Sequence, residues 1–345
     1  MLFIHNINLS EALEKFKKDN TSLGSYNLIN ASKNKNDEFY STYEFVEHGM
    51  NKWKGFFKDQ IIYLPCDDLF LFSNIEVDKQ KWPSNYWIYF KKYFKELGLK
   101  KLIATSWNET GNGLYAEYLG SGDDSDVFDG VELKEMTNNG DVFLQENKQY
   151  FLECDWVITN PPFSKLSIFY PLLKSLKKNF LINAPITISA RSWGQEDYKK
   201  GELFYYADAE LKKSAFIDAR KQDDYNITYG GPHPMWISNI DNRKAYLTKG
   251  SDVKKYECIK LDDWDNDKYC ALDKFAHVEY HPDKEWFLVP VTAPIHNLYF
   301  LDDWEICCSG KRGSTICELS NEHRKEMRVN GKHKYARLVI RRRKK

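Results

Sequence analysis

What this chain lacks narrows it first. Its 345 residues include only seven cysteines, none in a Cys-x-x-Cys pair, and the adjacent Cys307 and Cys308 are badly placed to bond each other. Neither a disulfide framework nor a ribbon-type zinc site is expected, and a reducing cytoplasm is the expected compartment. No apolar run approaches the ~18 residues of a membrane span, and the first twenty residues show no basic stretch followed by an apolar one. The expectation is a soluble, non-secreted protein with no membrane association. An excess of one charge is missing too, since 50 Lys and Arg balance 50 Asp and Glu. Any hold on a polyanion must therefore come from a local patch and not from a global field. Internal repeats are absent, and the one biased tract is basic, at the C-terminus.

Aromatic residues, by contrast, are plentiful: 22 Tyr, 21 Phe and 10 Trp. That content argues for a folded protein and leaves flat side chains to stack on bases, although most serve a core. The length allows one large α/β domain with an appended recognition region.

Residues 8–18 read as a short helix followed by a polar stretch. After Asp37-Glu38-Phe39-Tyr40-Ser41-Thr42-Tyr43, the apolar run Ile61-Ile62-Tyr63-Leu64 ends in Pro65-Cys66-Asp67-Asp68, a strand with carboxylates at its end. Residues 86–97 show helical spacing, stop at Gly98 and lead into a strand at 101–105. The Gly-, Asp- and Asn-rich stretch 111–139 predicts a loop with a short hairpin around Tyr115 to Tyr118. A strand at 155–158 precedes Asn160-Pro161-Pro162-Phe163 and a helical stripe of Leu166, Phe169, Leu173 and Leu176, which Pro171 is expected to kink or restart. Strands follow at 180–182, 215–217 and 235–237, the last two expected to pair antiparallel. Further strands are expected at 286–291 and 336–340. The alternation predicts an α/β fold, a mostly parallel sheet with helices on both faces. Ligands then gather outside the carboxyl ends of its strands, where Asp67, Asp68, Asn160 and Phe163 fall. Three regions are drawn: an N-terminal extension over 1–36, a catalytic domain over 37–245, and a recognition region with a basic tail over 246–345.

The strongest local signal is Asn160-Pro161-Pro162-Phe163, placed between a buried strand and a helix. An adenine amino group is a poor nucleophile because its lone pair is delocalised into the ring. The Asn160 side-chain oxygen and the Pro161 carbonyl suit acceptance of its two hydrogens, stabilising charge that develops on nitrogen. Two consecutive prolines hold the carbonyl in place and offer no N–H donors. Phe163 offers a face for an extruded base. The plain alternative is a rigid strand-to-helix turn with a core phenylalanine.

At this point the sequence resembles the EcoRI-type adenine-specific DNA methyltransferases, from about Ser32 to Arg341. The residues that carry the resemblance are Asn36-Asp37-Glu38-Phe39-Tyr40, Tyr63 through Asp68, Leu97-Gly98-Leu99-Lys100-Lys101-Leu102-Ile103-Ala104, Asp155 through Ser164, Trp236 through Asn239, and Asn330-Gly331-Lys332, in matching order. The resemblance implies a class I, Rossmann-like methyltransferase fold, S-adenosylmethionine as methyl donor, and double-stranded DNA with one adenine flipped out as substrate. Asn160, Pro161 and Phe163 match the family's catalytic motif. Phe39 and Tyr40 match the segment that lines the cofactor pocket, Asp67 and Asp68 the end of the first strand, and Asp141 the acidic residue beside the cofactor adenine. The sequence departs from most methyltransferases in having no glycine-rich turn after that strand.

The C-terminus carries Lys332, Lys334, Arg337, Arg341, Arg342, Arg343, Lys344 and Lys345 with no acidic residue among them, a density suited to phosphates or to a solubilising tail. Lys311 and Arg312, between Gly310 and Gly313, suit approach to a nucleic-acid backbone or an exposed turn. His277 and His281 follow Cys258 and Cys270, but the spacing is irregular and Pro282 comes next, so no metal is expected. No obligate protein partner is inferred. Two other readings stay open: a methyltransferase for RNA or a protein glutamine, and a DNA-binding protein with an idle methyltransferase fold.

Overall fold

The computed structural model describes residues 39–66, 84–108, 111–206, 216–218, 234–246 and, with short interruptions, 258–309 and 328–343. The helix expected at 8–18 lies outside them. The chain divides into two compact units, 1–184 with 208–238 and 185–207 with 239–345. No helix among the described residues is long and apolar enough to cross a membrane.

Strand β1 (Phe39–Ser41) leads to Thr42, whose hydroxyl accepts the Phe45 N–H and caps helix α1 (Tyr43–Asn51). Strand β2 (Ile61–Leu64) buries Ile62, Tyr63 and Leu64 completely, as expected of a strand covered on both faces. Ser84 caps helix α2 (Asn85–Lys92) by accepting from the Tyr86 and Trp87 N–H groups. The short helix α3 (Phe94–Leu97) stops at Gly98, whose φ of 65° is left-handed and favours glycine. Strand β3 (Lys101–Ser106) follows, and the expected hairpin is larger than its sequence signal: β4 (Leu114–Tyr118) and β5 (Val131–Glu135) pair over five residues each. Helix α4 (Lys148–Glu153) precedes the fully buried strand β6 (Trp156–Thr159), helix α5 (Leu166–Ser175) and strand β7 (Asn179–Pro185). Pro171 lies inside α5 and the helix runs through it. The lost backbone hydrogen bond is set against burial of Leu166, Phe169, Tyr170, Leu172 and Leu173. Helix α6 (Ser192–Lys199) and strand β8 (Phe204–Tyr206) belong to the second unit, β9 (Phe216–Asp218) and β10 (Pro234–Ser238) to the first.

In the first unit the main-sheet strands stand in the order β5-β4-β3-β2-β6-β7-β10. Strands β2, β3, β6 and β7 are mutually parallel, and the hairpin is antiparallel at one edge. The fold is thus α/β with a mostly parallel sheet. Strands β9 and β10 do not pair with each other. Instead β9 runs antiparallel to β1, Tyr40 opposite Ile217, while β10 stands beside β7. Burial decides this. All five β10 residues are buried, and Trp236 stacks on Phe45 at 5.2 Å between ring centroids. Gly49 leaves the room, since a Cβ there would come 2.7 Å from the Trp236 ring.

The second unit carries a four-stranded sheet of β11 (Tyr269–Ala271), β12 (Trp286–Pro290), β13 (Trp304–Ser309) and β16 (Arg337–Arg342), ordered β11-β12-β16-β13. A small hairpin of β14 (Arg328–Val329) and β15 (Lys332–His333) is pinned by Asp262, whose carboxylate accepts the Asn330 and Gly331 N–H groups. The expected strand regions at 286–291 and 336–340 are β12 and β16, paired antiparallel. Arg341 and Arg342 are strand residues, not tail. The Arg341 guanidinium bonds Glu305 and lies over the Trp286 ring, while Arg342 lies over Phe287 and Trp304. Against the expectation from spacing, Cys258 and Cys270 are joined as a disulfide.

Candidate active site

The parallel strands of the first unit end together. Tyr63 and Thr105 share a 2.8 Å hydrogen bond, and the Thr105 hydroxyl donates to the Pro65 carbonyl, tying the end of β2 to β3. Complete burial raises the Tyr63 phenol far above its ordinary range, so it stays protonated and is the donor in that pair. On the other side, Thr159 of β6 stands opposite Ile182 of β7, so Asn160 and Asn183 are the next residues along neighbouring parallel strands.

At the end of β6 the chain turns out of the sheet. Asn160 is half-buried with its side-chain oxygen shut off from solvent, Pro161 is buried, Pro162 exposed and Phe163 half-buried. A single 3₁₀ turn begins at Phe163, closed by the Lys165 N–H donating to the Pro162 carbonyl at 2.8 Å, and passes directly into α5. Neither proline has an N–H to extend helix or strand through the turn. Asn160, Pro161 and Phe163 are therefore held together at the carboxyl edge of a central strand.

Asp141 reaches the same edge by a separate route. The Asn108 N–H donates to the Asn139 carbonyl, and Gly140, at φ 76°, presses so close to the end of β3 that a Cβ there would meet the Ser106 carbonyl oxygen at 2.1 Å. The Phe143 N–H donates to the Asp141 carboxylate at 2.9 Å, fixing its orientation, and Phe143 meets Phe169 of α5 edge-on. The loop bearing Asp141 thus spans from the tip of β3 to the helix that Phe163 leads into.

Phe39 and Tyr40 are placed on β1 by their backbone, opposite Asp218 and Ile217. Asp67 and Asp68 lie outside the described residues, as do Lys311, Arg312 and Lys334. Lys332 is exposed on β15, and Arg337 opens β16.

Three residues at the strand ends escaped the sequence reading. Asn183 is completely buried, yet neither polar atom of its side chain has a hydrogen-bond partner, and the same is true of the Thr159 hydroxyl beside it. Such atoms are costly unless something else satisfies them. The sequence held a signal here: an asparagine inside the apolar run Phe180-Leu181-Ile182-Asn183-Ala184. Trp107, just past the end of β3, is 51% exposed. Nothing in the sequence distinguishes it from the other nine tryptophans, which makes its exposure a finding of the structure alone.

Residues 27–343 match the family model described as Adenine-specific methyltransferase EcoRI. The chain belongs to this family. Among curated relatives it is similar to the Type II methyltransferase M.EcoRI of Escherichia coli, 33% identical over 234 residues, which is 62% of this chain and 68% of that protein. It is also similar to the Type II methyltransferase M.MpnI of Mycoplasma pneumoniae, 32% identical over 154 residues, 44% of this chain and 41% of that one. No solved structure matches. As a member of the EcoRI methyltransferase family the chain has the sheet expected of it, and its mostly parallel core is consistent with a class I methyltransferase fold.

Proposed function

We propose that the protein transfers a methyl group from S-adenosylmethionine to the N6 amino group of adenine at a short sequence in double-stranded DNA, with the target base flipped out of the helix. The observation that carries this reading is the rigid Asn160-Pro161-Pro162-Phe163 turn at the carboxyl end of central strand β6. Support for the donor comes from Asp141 and the exposed Trp107 beside the tip of β3, which offer a carboxylate beside the cofactor adenine and a flat face for that purine. Phe39, Tyr40, Asp67 and Asp68 complete the assigned cofactor set. The partnerless polar atoms of Thr159 and Asn183 lie buried beneath the same strand ends. Bound there, S-adenosylmethionine supplies a methyl group on a positively charged sulfur, open to in-line displacement by an amine.

The work of the chain's own residues is to prepare that amine. Once its side chain turns outward from the buried position, Asn160 accepts one hydrogen of that amine through Oδ1 and the Pro161 carbonyl accepts the other, favouring the pyramidal nitrogen of the transition state over the flat conjugated one. Phe163 stacks on the extruded base and keeps it in place of its lost neighbours. The test is to express the protein in cells that lack adenine methylation and sequence their DNA with a modification-sensitive reader. N6-methyladenine at one short motif is expected, and unmodified DNA from cells that contain folded protein would overturn the proposal.

A further inference from the structure

Within the second unit, three side chains with metal-ligating atoms converge. The Sγ atoms of Cys258 and Cys270 and a ring nitrogen of His281 all lie within 4.8 Å of one another. They come from separate stretches of chain: Cys258 precedes Ile259, Cys270 is the middle residue of β11, and His281 lies in the turn before β12. Cys270 is completely buried, while Cys258 and His281 are half-buried.

The disulfide joins two of these residues, and the third is an imidazole that lies against them. The His281 ring approaches Cys258 Sγ with Nδ1 at 3.7 Å and Nε2 at 3.9 Å. A sulfur in a disulfide is only a weak acceptor for an imidazole N–H. Two thiolates and an imidazole, in contrast, are three of the four ligands of a tetrahedral zinc-type site. Backbone contacts hold the stretches together independently of the sulfurs. The Ile259 N–H donates to the Ala271 carbonyl at 2.7 Å, Leu272 donates to Leu288, and the turn at His281 is closed by bonds from His281 to Val278 and from Lys284 to His281.

We propose that Cys258, Cys270 and His281 form a structural site for a thiolate-preferring divalent cation of the zinc class, filled when the two cysteines are reduced. This replaces the expectation, drawn from irregular spacing, that the chain holds no metal. It is independent of the proposed methyl transfer.

The experiment uses the full chain purified under reducing conditions from zinc-supplemented cells, dialysed, and assayed for zinc by mass spectrometry. About one zinc per chain is expected, with retention falling at least about tenfold in His281→Ala and in Cys270→Ser. His281→Ala is the decisive variant, because a disulfide does not need the imidazole. Should the variants fail to fold, cobalt titration of the reduced wild-type protein answers the question alone, through the thiolate-to-cobalt charge-transfer band. Absence of both retained zinc and that band overturns the proposal. So does zinc retention unchanged in a folded His281→Ala protein, or a Cys258–Cys270 disulfide found intact in chains alkylated directly from cells.

Discussion

On the proposed reaction the amide oxygen of Asn160 and the carbonyl of Pro161 each take one hydrogen of the attacking nitrogen, so removing one acceptor costs rate before it costs cofactor affinity. Asn160→Ala is expected to lower kcat by about 10²–10³ while cofactor binding without DNA stays close to normal, as single-turnover kinetics and calorimetry will show. Undiminished turnover would remove Asn160 from the mechanism. Asn183 poses a different question. Its buried amide, with no partner for oxygen or nitrogen, costs about 1–3 kcal/mol unless a ligand satisfies it. Asn183→Leu, similar in size and apolar, is expected to raise Tm and depress methylation together, the signature of a residue kept for the site at the expense of stability. A more stable variant with full activity would show that the orphaned amide has no part in catalysis.

Between residues and fold stand the elements, and here Gly140 shows how a loop is aimed. Its left-handed backbone and its closeness to Ser106 leave no space for a methyl group. Gly140→Ala is therefore expected to shift the loop that carries Asp141 and weaken cofactor binding at least about tenfold, since the clash with the Ser106 carbonyl adds to a left-handed-backbone cost of about 1–2 kcal/mol, and calorimetry measures the loss. Unchanged affinity would separate Asp141 from the cofactor. The elements most legible in the sequence were those with continuous burial: β2, β6 and β7 announce themselves as apolar runs, and the Asn-Pro-Pro-Phe turn is marked by residues that cannot continue either helix or strand. Partner choice was not legible. Strands of three to five residues carry too little period to name a neighbour, and β10 joins the main sheet because Trp236 finds Phe45 and Gly49, contacts distant in sequence. The meeting of Cys258, Cys270 and His281 is hidden for the same reason, since it depends on the bridge between Ile259 and Ala271 and on the turn at His281, not on spacing along the chain.

At the scale of the whole molecule, 50 basic and 50 acidic residues cancel, so affinity for DNA has to arise from a few placed cations. Lys332, exposed on β15, is a proposed phosphate contact. Lys332→Ala is expected to weaken binding to all sequences alike and to reduce the slope of log affinity against log salt by about one, read by fluorescence anisotropy over a salt series. Arg341 is expected to behave otherwise. Its charge is matched by Glu305 and its plane rests on Trp286, so Arg341→Ala should lower Tm slightly and leave the salt slope unchanged. The place of β16 has a further consequence. It stands between β12 and β13 yet follows both along the chain, so while the polypeptide is still being synthesised those two strands wait with bare hydrogen-bonding edges. Aggregation of nascent or shortened chains is expected to start there, and a species trimmed before residue 337 should appear in inclusion bodies rather than as a smaller working protein.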